Sequence, residues 1–420
     1  MVLLWPPRAA RGRIDTRRET VDDAATVKAL ALPVGAVLRQ HVASGYMTGA
    51  VALIGRGDQA EVVTVGQQGL ESRAGAMRRD SIFRISSLTK PLAAAAAMML
   101  VQAGRLRLDE PVQRWLPELA RRRVLTRIDG PLSDTVPAQR PMTIEDLLTF
   151  RCGLGILPAP PDSYPIQREI SALQLIGFGP PDPAYPTAPD EWLQRLGTLP
   201  LMAQPGERWL YNTGSYILGV LLARASGLSL PELLQRLVFG PLGMADTGFT
   251  LPAPKRTRLV DAHRIEEGRL LLYDGGAGSA WSVIPRFADA GAGLLSTADD
   301  YFAFSRLLLR DLGGSRRLLS HPAVASMITD HLTASQRAGA QPTLSSGRGW
   351  GLGMSVVTTR TADGLPAGAF GWNGGLGTTW VADPHSGITA LLFTQTSFTS
   401  PLAPAIHQEF WHTIFSPPVT

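Results

Sequence analysis

The 420 residues contain one cysteine, Cys152. One thiol cannot close an intrachain disulfide, and it excludes a cysteine-ligated metal cluster. It lies in LLTFRCGLG, between a helical pattern and a glycine turn, and reads as a small packing residue rather than a nucleophile. Lysine is almost as scarce. Only Lys28, Lys90 and Lys255 stand among 40 basic residues, the rest being arginine. The seven histidines form no His-x-x-x-His pair, so zinc chemistry is not indicated, and His263, His385 and His407 read as surface or capping residues. No Gly-x-Ser-x-Gly occurs, which removes the strand-to-helix nucleophile elbow. No apolar run reaches the about 20 residues of a membrane span; PLAAAAAMMLVQAG falls short. MVLLWPPRAARGR lacks the order of an export signal, because its charges follow a very short apolar stretch ended by proline. These absences predict a soluble cytoplasmic protein. The formal charge is only +5, and the arginines are scattered without interleaved aromatics, so neither a nucleic acid nor a membrane is the expected partner.

What is present is a folded chain, 45% hydrophobic and 18% charged, too long for one small core. Residues 1–25 read as an N-terminal arm. VGAVLRQHVASGY reads as a helix, and GAVALIGRG and AEVVTVG as a hairpin around Gly57-Asp58. Thr143 is an N-cap for TIEDLLTF, and Ser296 or Thr297 caps a helix that stops before Gly313. Residues 152–190 are rich in proline and glycine and are expected to form a lid, a binding loop or a disordered link. Helical patterns resume at SYILGVLLARASG and LPELLQRLVFGPLG, and an irregular stretch follows to about residue 290. GWGLGMSVV, AGAFGWNG, GTTWVADP and GITALLFTQT are four strand-like runs, and APAIHQEFWHTIF closes as a helix. Strands at both chain ends with helices between predict an α/β (α+β) fold. One antiparallel sheet, flanked by helices and built from 26–110 and 285–420, should carry an inserted, mostly helical lobe at 111–284.

The chemistry concentrates in FRISSLTKPLAAAAAMML, Phe83 to Leu100. A chain that otherwise uses arginine keeps lysine at position 90. Lysine gives up its proton when desolvated and arginine does not, so a buried Lys90 can act as a base toward a serine. A helix starting near Leu88 puts Ser87 at its N-cap, where free N–H groups and the positive helix end suit an oxyanion. Lys90 then lies one turn away on the same face. Ser87, rather than Ser86, has the lysine at this offset. Two later segments join them. Tyr211, in WLYNTGSYILG, stands just before a helix and can shuttle a proton. Trp372-Asn373-Gly374-Gly375 lies between two strand-like runs, where glycine lets a backbone approach a ligand and the Gly375 N–H can be a second oxyanion donor.

In this order the segments resemble the serine hydrolases related to class C β-lactamases and penicillin-binding proteins, and most closely the family VIII carboxylesterases. MTIEDLLTFRCGLG, VFGPLGMADTGF and GAGLLSTADDYFAF also look like segments of that family, so the resemblance spans roughly residues 30–400. It implies a β-lactamase/transpeptidase-like fold, Ser87 as nucleophile, Lys90 and Tyr211 as its proton partners, and backbone N–H groups of Ser87 and Gly375 as oxyanion donors. Trp372, Asn373, Gly374 and Thr213 would contact substrate, and no metal or organic cofactor is implied. Two departures stand out. Trp372 replaces the lysine of Lys-Thr-Gly, leaving Arg348 as a candidate source of the carboxylate-binding charge, and Thr213 stands for the asparagine of Tyr-x-Asn. Both favour a carboxylesterase acting on a small-molecule ester. The rivals are a β-lactamase or D-amino-acid peptidase, an acyltransferase, and a non-catalytic binding protein of this fold.

Overall fold

The computed structural model describes residues 19–71, 75–276, 278–310 and 318–416. Seven strands form its main sheet: β1 (Gly49–Arg56), β2 (Gln59–Gly66), β3 (Arg348–Trp350), β4 (Ser355–Val357), β5 (Phe370–Gly374), β6 (Thr378–Asp383) and β7 (Ile388–Thr394). Their order is β2-β1-β7-β6-β5-β4-β3, every neighbour antiparallel. The two chain ends meet where β1 pairs with β7, Leu53 opposite Leu391. The sheet therefore draws on both ends of the chain, as the strand pattern predicts.

Alternation along β1 separates two cores. Ala50, Ala52 and Ile54 face a layer of two helices, α1 (Glu19–Ala43) and the terminal α6 (Ala405–Phe415). Val51 and Leu53 face the larger core, which holds α2 (Thr89–Gln102) and α5 (Ala298–Arg310). Helix α2 is buried from Thr89 through Leu100, as an alanine-rich helix without a polar face must be. Between α2 and α5 the chain forms α3 (Ile144–Leu148), α4 (Thr213–Ser226) and further short helices. Thr143 caps α3 in a reciprocal capping box with Asp146. Thr297 accepts the Asp300 N–H at the start of α5. Gly313 lies outside the described residues. Among the described residues no single helix is long and apolar enough to cross a membrane.

Several expectations change. Helix α1 begins at Glu19, inside the stretch read as an arm. The run GWGLGMSVV is two strands, β3 and β4, folded back on each other with Ser355 opposite Trp350. The stretch read as irregular contains a hairpin, Ala262–Glu266 with Arg269–Asp274, whose turn at Glu267-Gly268 is a short-range signal present in the sequence. His263 and His407 are fully buried, not surface or capping groups. His407 shares the inward face of α6 with Phe410, Trp411 and Ile414, a helical spacing visible in the sequence. Burial drives its pKa down to about 3, so the ring is neutral.

Candidate active site

Ser86–Leu88 form a single 3-10 turn that runs into α2. Ser87 is therefore not an N-cap, as the sequence suggested; Leu88 holds that place. The consequence for the motif is small, because 3-10 winding brings residues i and i+3 into line. The turn is held from several sides. Ile85 N–H donates to Leu294 O at 3.0 Å, the Tyr301 hydroxyl donates to Leu88 O at 2.9 Å, and Thr378 Oγ1 donates to Ile85 O at 3.1 Å. Ser86 is buried with φ +47°, a left-handed conformation that is costly for a residue with a Cβ.

Lys90 is 1% exposed, and its Nζ donates to Ser87 Oγ at 2.9 Å and to Gly291 O at 2.7 Å. Burial lowers its pKa from the ordinary 10.5 to about 7, against the opposing pull of Asp289. Near neutral pH this lysine divides between ammonium and free amine. Its Nζ also lies 4.8 Å from the centre of the Tyr211 ring.

Tyr211 lies two residues before α4, whose N-cap, Asn212, has φ +87°. A strained non-glycine residue thus flanks both Ser87 and Tyr211. The Tyr211 hydroxyl accepts the Trp372 indole Nε1–H at 2.7 Å. Burial outweighs that bond and the influence of the nearby Ser87 hydroxyl, and pushes the phenol pKa up to about 12. Four aromatic rings fix its position: Trp209 stacks on it at 5.6 Å, and Phe150, Trp372 and Trp350 pack against it at 5.4, 5.5 and 6.2 Å between centroids.

The β5–β6 turn closes the site. A Cβ on Gly374 would stand 2.3 Å from Ile85 O, so only glycine lets β5 dock against the turn bearing Ser87. Gly375, next along, is exposed, and its carbonyl accepts the Phe398 N–H. The N–H groups of Ser87 and Gly375 have no hydrogen-bond partner among the described residues. The structure thus gathers Ser87, Lys90, Tyr211, Trp372 and the Gly374–Gly375 turn in one place.

Other expected positions are employed elsewhere. Thr213 is buried, and its hydroxyl and the Asn212 amide both donate to Gly177 O, at 3.0 and 3.1 Å, tying α4 to the proline-rich segment. Its hydroxyl is thus committed to the fold rather than to a substrate. Asn373 Oδ1 accepts from the Thr379 hydroxyl across β5 and β6 at 2.7 Å. Arg348 cannot supply a carboxylate-binding charge beside Trp372: it is buried against Asp363 and lies over the Trp411 ring, in the layer of α6. Cys152 is buried, and its thiol is pushed up to about 12, consistent with a packing role. Sequence reasoning missed Asp289, a buried carboxylate two residues before the carbonyl that holds Lys90; a lone acid in a glycine-rich stretch gave no signal.

The antiparallel sheet from both chain ends, with a serine and a buried lysine at the head of its central helix, defines the class as a serine hydrolase. The chain belongs to the Beta-lactamase family, whose family model matches residues 34–409. It is 39% identical over 373 residues to Protein Rv1367c of Mycobacterium tuberculosis, covering 86% of this chain and 88% of that one. It is 31% identical over 388 residues to Esterase EstB of Burkholderia gladioli, covering 88% and 91%. Among solved structures, EstCE1, described as a hydrolase with promiscuous acyltransferase activity, superposes with TM-score 0.76 at 24% identity, over 93% of this chain and 100% of that one.

Proposed function

We propose that this protein is a carboxylesterase that works through an acyl-enzyme on Ser87. The observation that carries the reading is the 2.9 Å contact between Ser87 Oγ and the buried Lys90 Nζ. Burial moves the two candidate bases in opposite directions: it lowers the Lys90 ammonium to about 7 and pushes the Tyr211 phenol up to about 12, so near neutral pH the amine is the better proton acceptor. Lys90 is therefore the group that takes the Ser87 proton as Oγ attacks the ester carbonyl. The free N–H groups of Ser87 and Gly375 receive the oxyanion. The protonated Lys90 passes a proton through Tyr211 to the departing alcohol, and water then releases the acid by the reverse relay.

The substrate is a small-molecule ester with an apolar portion. A groove of about 380 Å³ runs beside Tyr211 and is lined by Ile156, Leu157, Pro158, Trp209 and Pro342. The first three come from the proline-rich segment, in keeping with a binding-loop role. At position 372 an indole bonded to Tyr211 stands in place of a carboxylate-binding cation. The resemblance to Esterase EstB supports the same reading. Arg208 also lines the groove, so a β-lactam belongs in the test.

The test assays short-chain aryl esters and a chromogenic cephalosporin with the wild type and with Ser87→Ala. Ester turnover should dominate and fall by roughly 10³-fold or more in the variant. Ester turnover that survives Ser87→Ala sinks the mechanism, and rapid cephalosporin turnover with little ester turnover favours the β-lactamase reading.

A further inference from the structure

Asp289 is 6% exposed, and nothing in the chemistry proposed above uses it. One of its carboxylate oxygens accepts the Gly291 N–H at 2.5 Å, and the Gly291 carbonyl in turn accepts Lys90 Nζ at 2.7 Å. The other oxygen is buried without a hydrogen-bond partner. Helix α4 packs against this loop. A Cβ on Gly291 would fall 2.5 Å from the Tyr216 ring, so glycine there allows the loop to carry its carbonyl up to Lys90. The Tyr216 phenol is also buried and lies beside the Asp289 carboxylate. The titratable groups around the Lys90 amine are thus Ser87 and Tyr211 on the substrate side, and Asp289, backed by Tyr216, on the other.

We infer that Asp289 is a positioning residue: through Gly291 it fixes the Lys90 side chain toward Ser87, and its negative charge supports the lysine's positive one from behind. The inference rests on the esterase reading for its catalytic meaning, but not for its physical test. Burial alone drives a lysine far down. A facing carboxylate holds it near neutrality, where a base works best at pH 7.

The test separates the charge from the hydrogen bond. Asp289→Asn keeps an acceptor for Gly291 N–H and removes the charge. Burial pushes the Asp289 carboxyl upward, and the neighbouring Tyr216 phenol opposes that push, so Tyr216→Phe keeps the carboxyl but makes its ionised form less favourable. Both changes deprive Lys90 of counter-charge, so both should lower its pKa, Asp289→Asn by about one unit or more and Tyr216→Phe by less. Only three lysines are present, so lysine-labelled carbon NMR can follow Lys90 directly, with its signal assigned by loss in Lys90→Met. The acid limb of kcat/KM for an aryl ester should move to lower pH in step. Asp289→Asn decides the matter if it folds, and Tyr216→Phe decides it otherwise. A Lys90 titration that stays in place or rises in the deciding variant overturns the inference. The NMR titration needs no turnover, so its outcome is independent of the Ser87→Ala assay.

Discussion

The indole N–H of Trp372 donates to the phenol oxygen of Tyr211 at 2.7 Å. The tryptophan that stands where the β-lactamase motif has lysine is therefore tied to the proposed proton shuttle. Hydrogen bonds to a group that gains negative charge are worth about 1.5–3 kcal/mol. Trp372→Phe keeps the ring packing and removes the donor. It should lower kcat by about tenfold or more with little change in KM. Steady-state kinetics on an aryl ester checks this; an unchanged kcat would leave Trp372 a packing role only.

The Lys90 pKa gives the pH dependence its sign. The amine must be unprotonated to accept the Ser87 proton, so kcat/KM should rise with pH through about 7 and level off above it. A rate profile between pH 5 and 9 measures the limb.

The same group costs stability. Its folded pKa of about 7 lies below the unfolded 10.5, so the unfolded chain binds more protons between those values and stability rises with pH there. Below about 7 the two states bind equally and the penalty is constant. Lys90→Met removes this titration. Its Tm relative to wild type should therefore improve as pH falls from 10 to 7 and stay level below, as circular dichroism melts at pH 6, 7 and 10 would show.

Gly374→Ala places a methyl group 2.3 Å from Ile85 O and 2.2 Å from Thr378 Oγ1. Overpacking of this kind costs about 1–3 kcal/mol. The strain falls on the turn that carries Ser87, so activity should drop more than stability. Melting temperature and kcat/KM measured together distinguish a local from a global effect.

Cys152 should be inert. Its thiol is buried and pushed up to about 12, so thiolate is negligible at neutral pH. Thiol reagents should leave the folded enzyme unlabelled and active, and label one equivalent after unfolding.

Much of this was readable because local signals and the global fold agree. The Ser87–Lys90 offset, the all-apolar α2, the Gly57-Asp58 hairpin and the Thr143 cap each act over a few residues, and each is where the pattern puts it. What escaped depends on contacts distant in sequence. Thr213 looked like a substrate ligand because its neighbour Tyr211 lies in the site, yet its hydroxyl meets Gly177, 36 residues away. Arg348 lies two residues from Trp350 on β3, but its guanidinium meets Trp411 in the other core. Asp289 is linked to Lys90 by hydrogen bonds through the Gly291 backbone, a relation no spacing rule encodes. The 3-10 turn at Ser86–Leu88 differs from the expected N-cap through one left-handed residue, Ser86, which the sequence does not flag.

The central claim is that Ser87 carries the acyl group. Its most direct test is intact-protein mass spectrometry after brief mixing with an activated aryl ester or an organophosphonate, followed by peptide mapping. The account predicts one adduct per chain on the peptide containing Ser87, formed faster as pH rises through about 7 and absent in Ser87→Ala. An adduct on any other residue, or labelling that persists in Ser87→Ala, would contradict it.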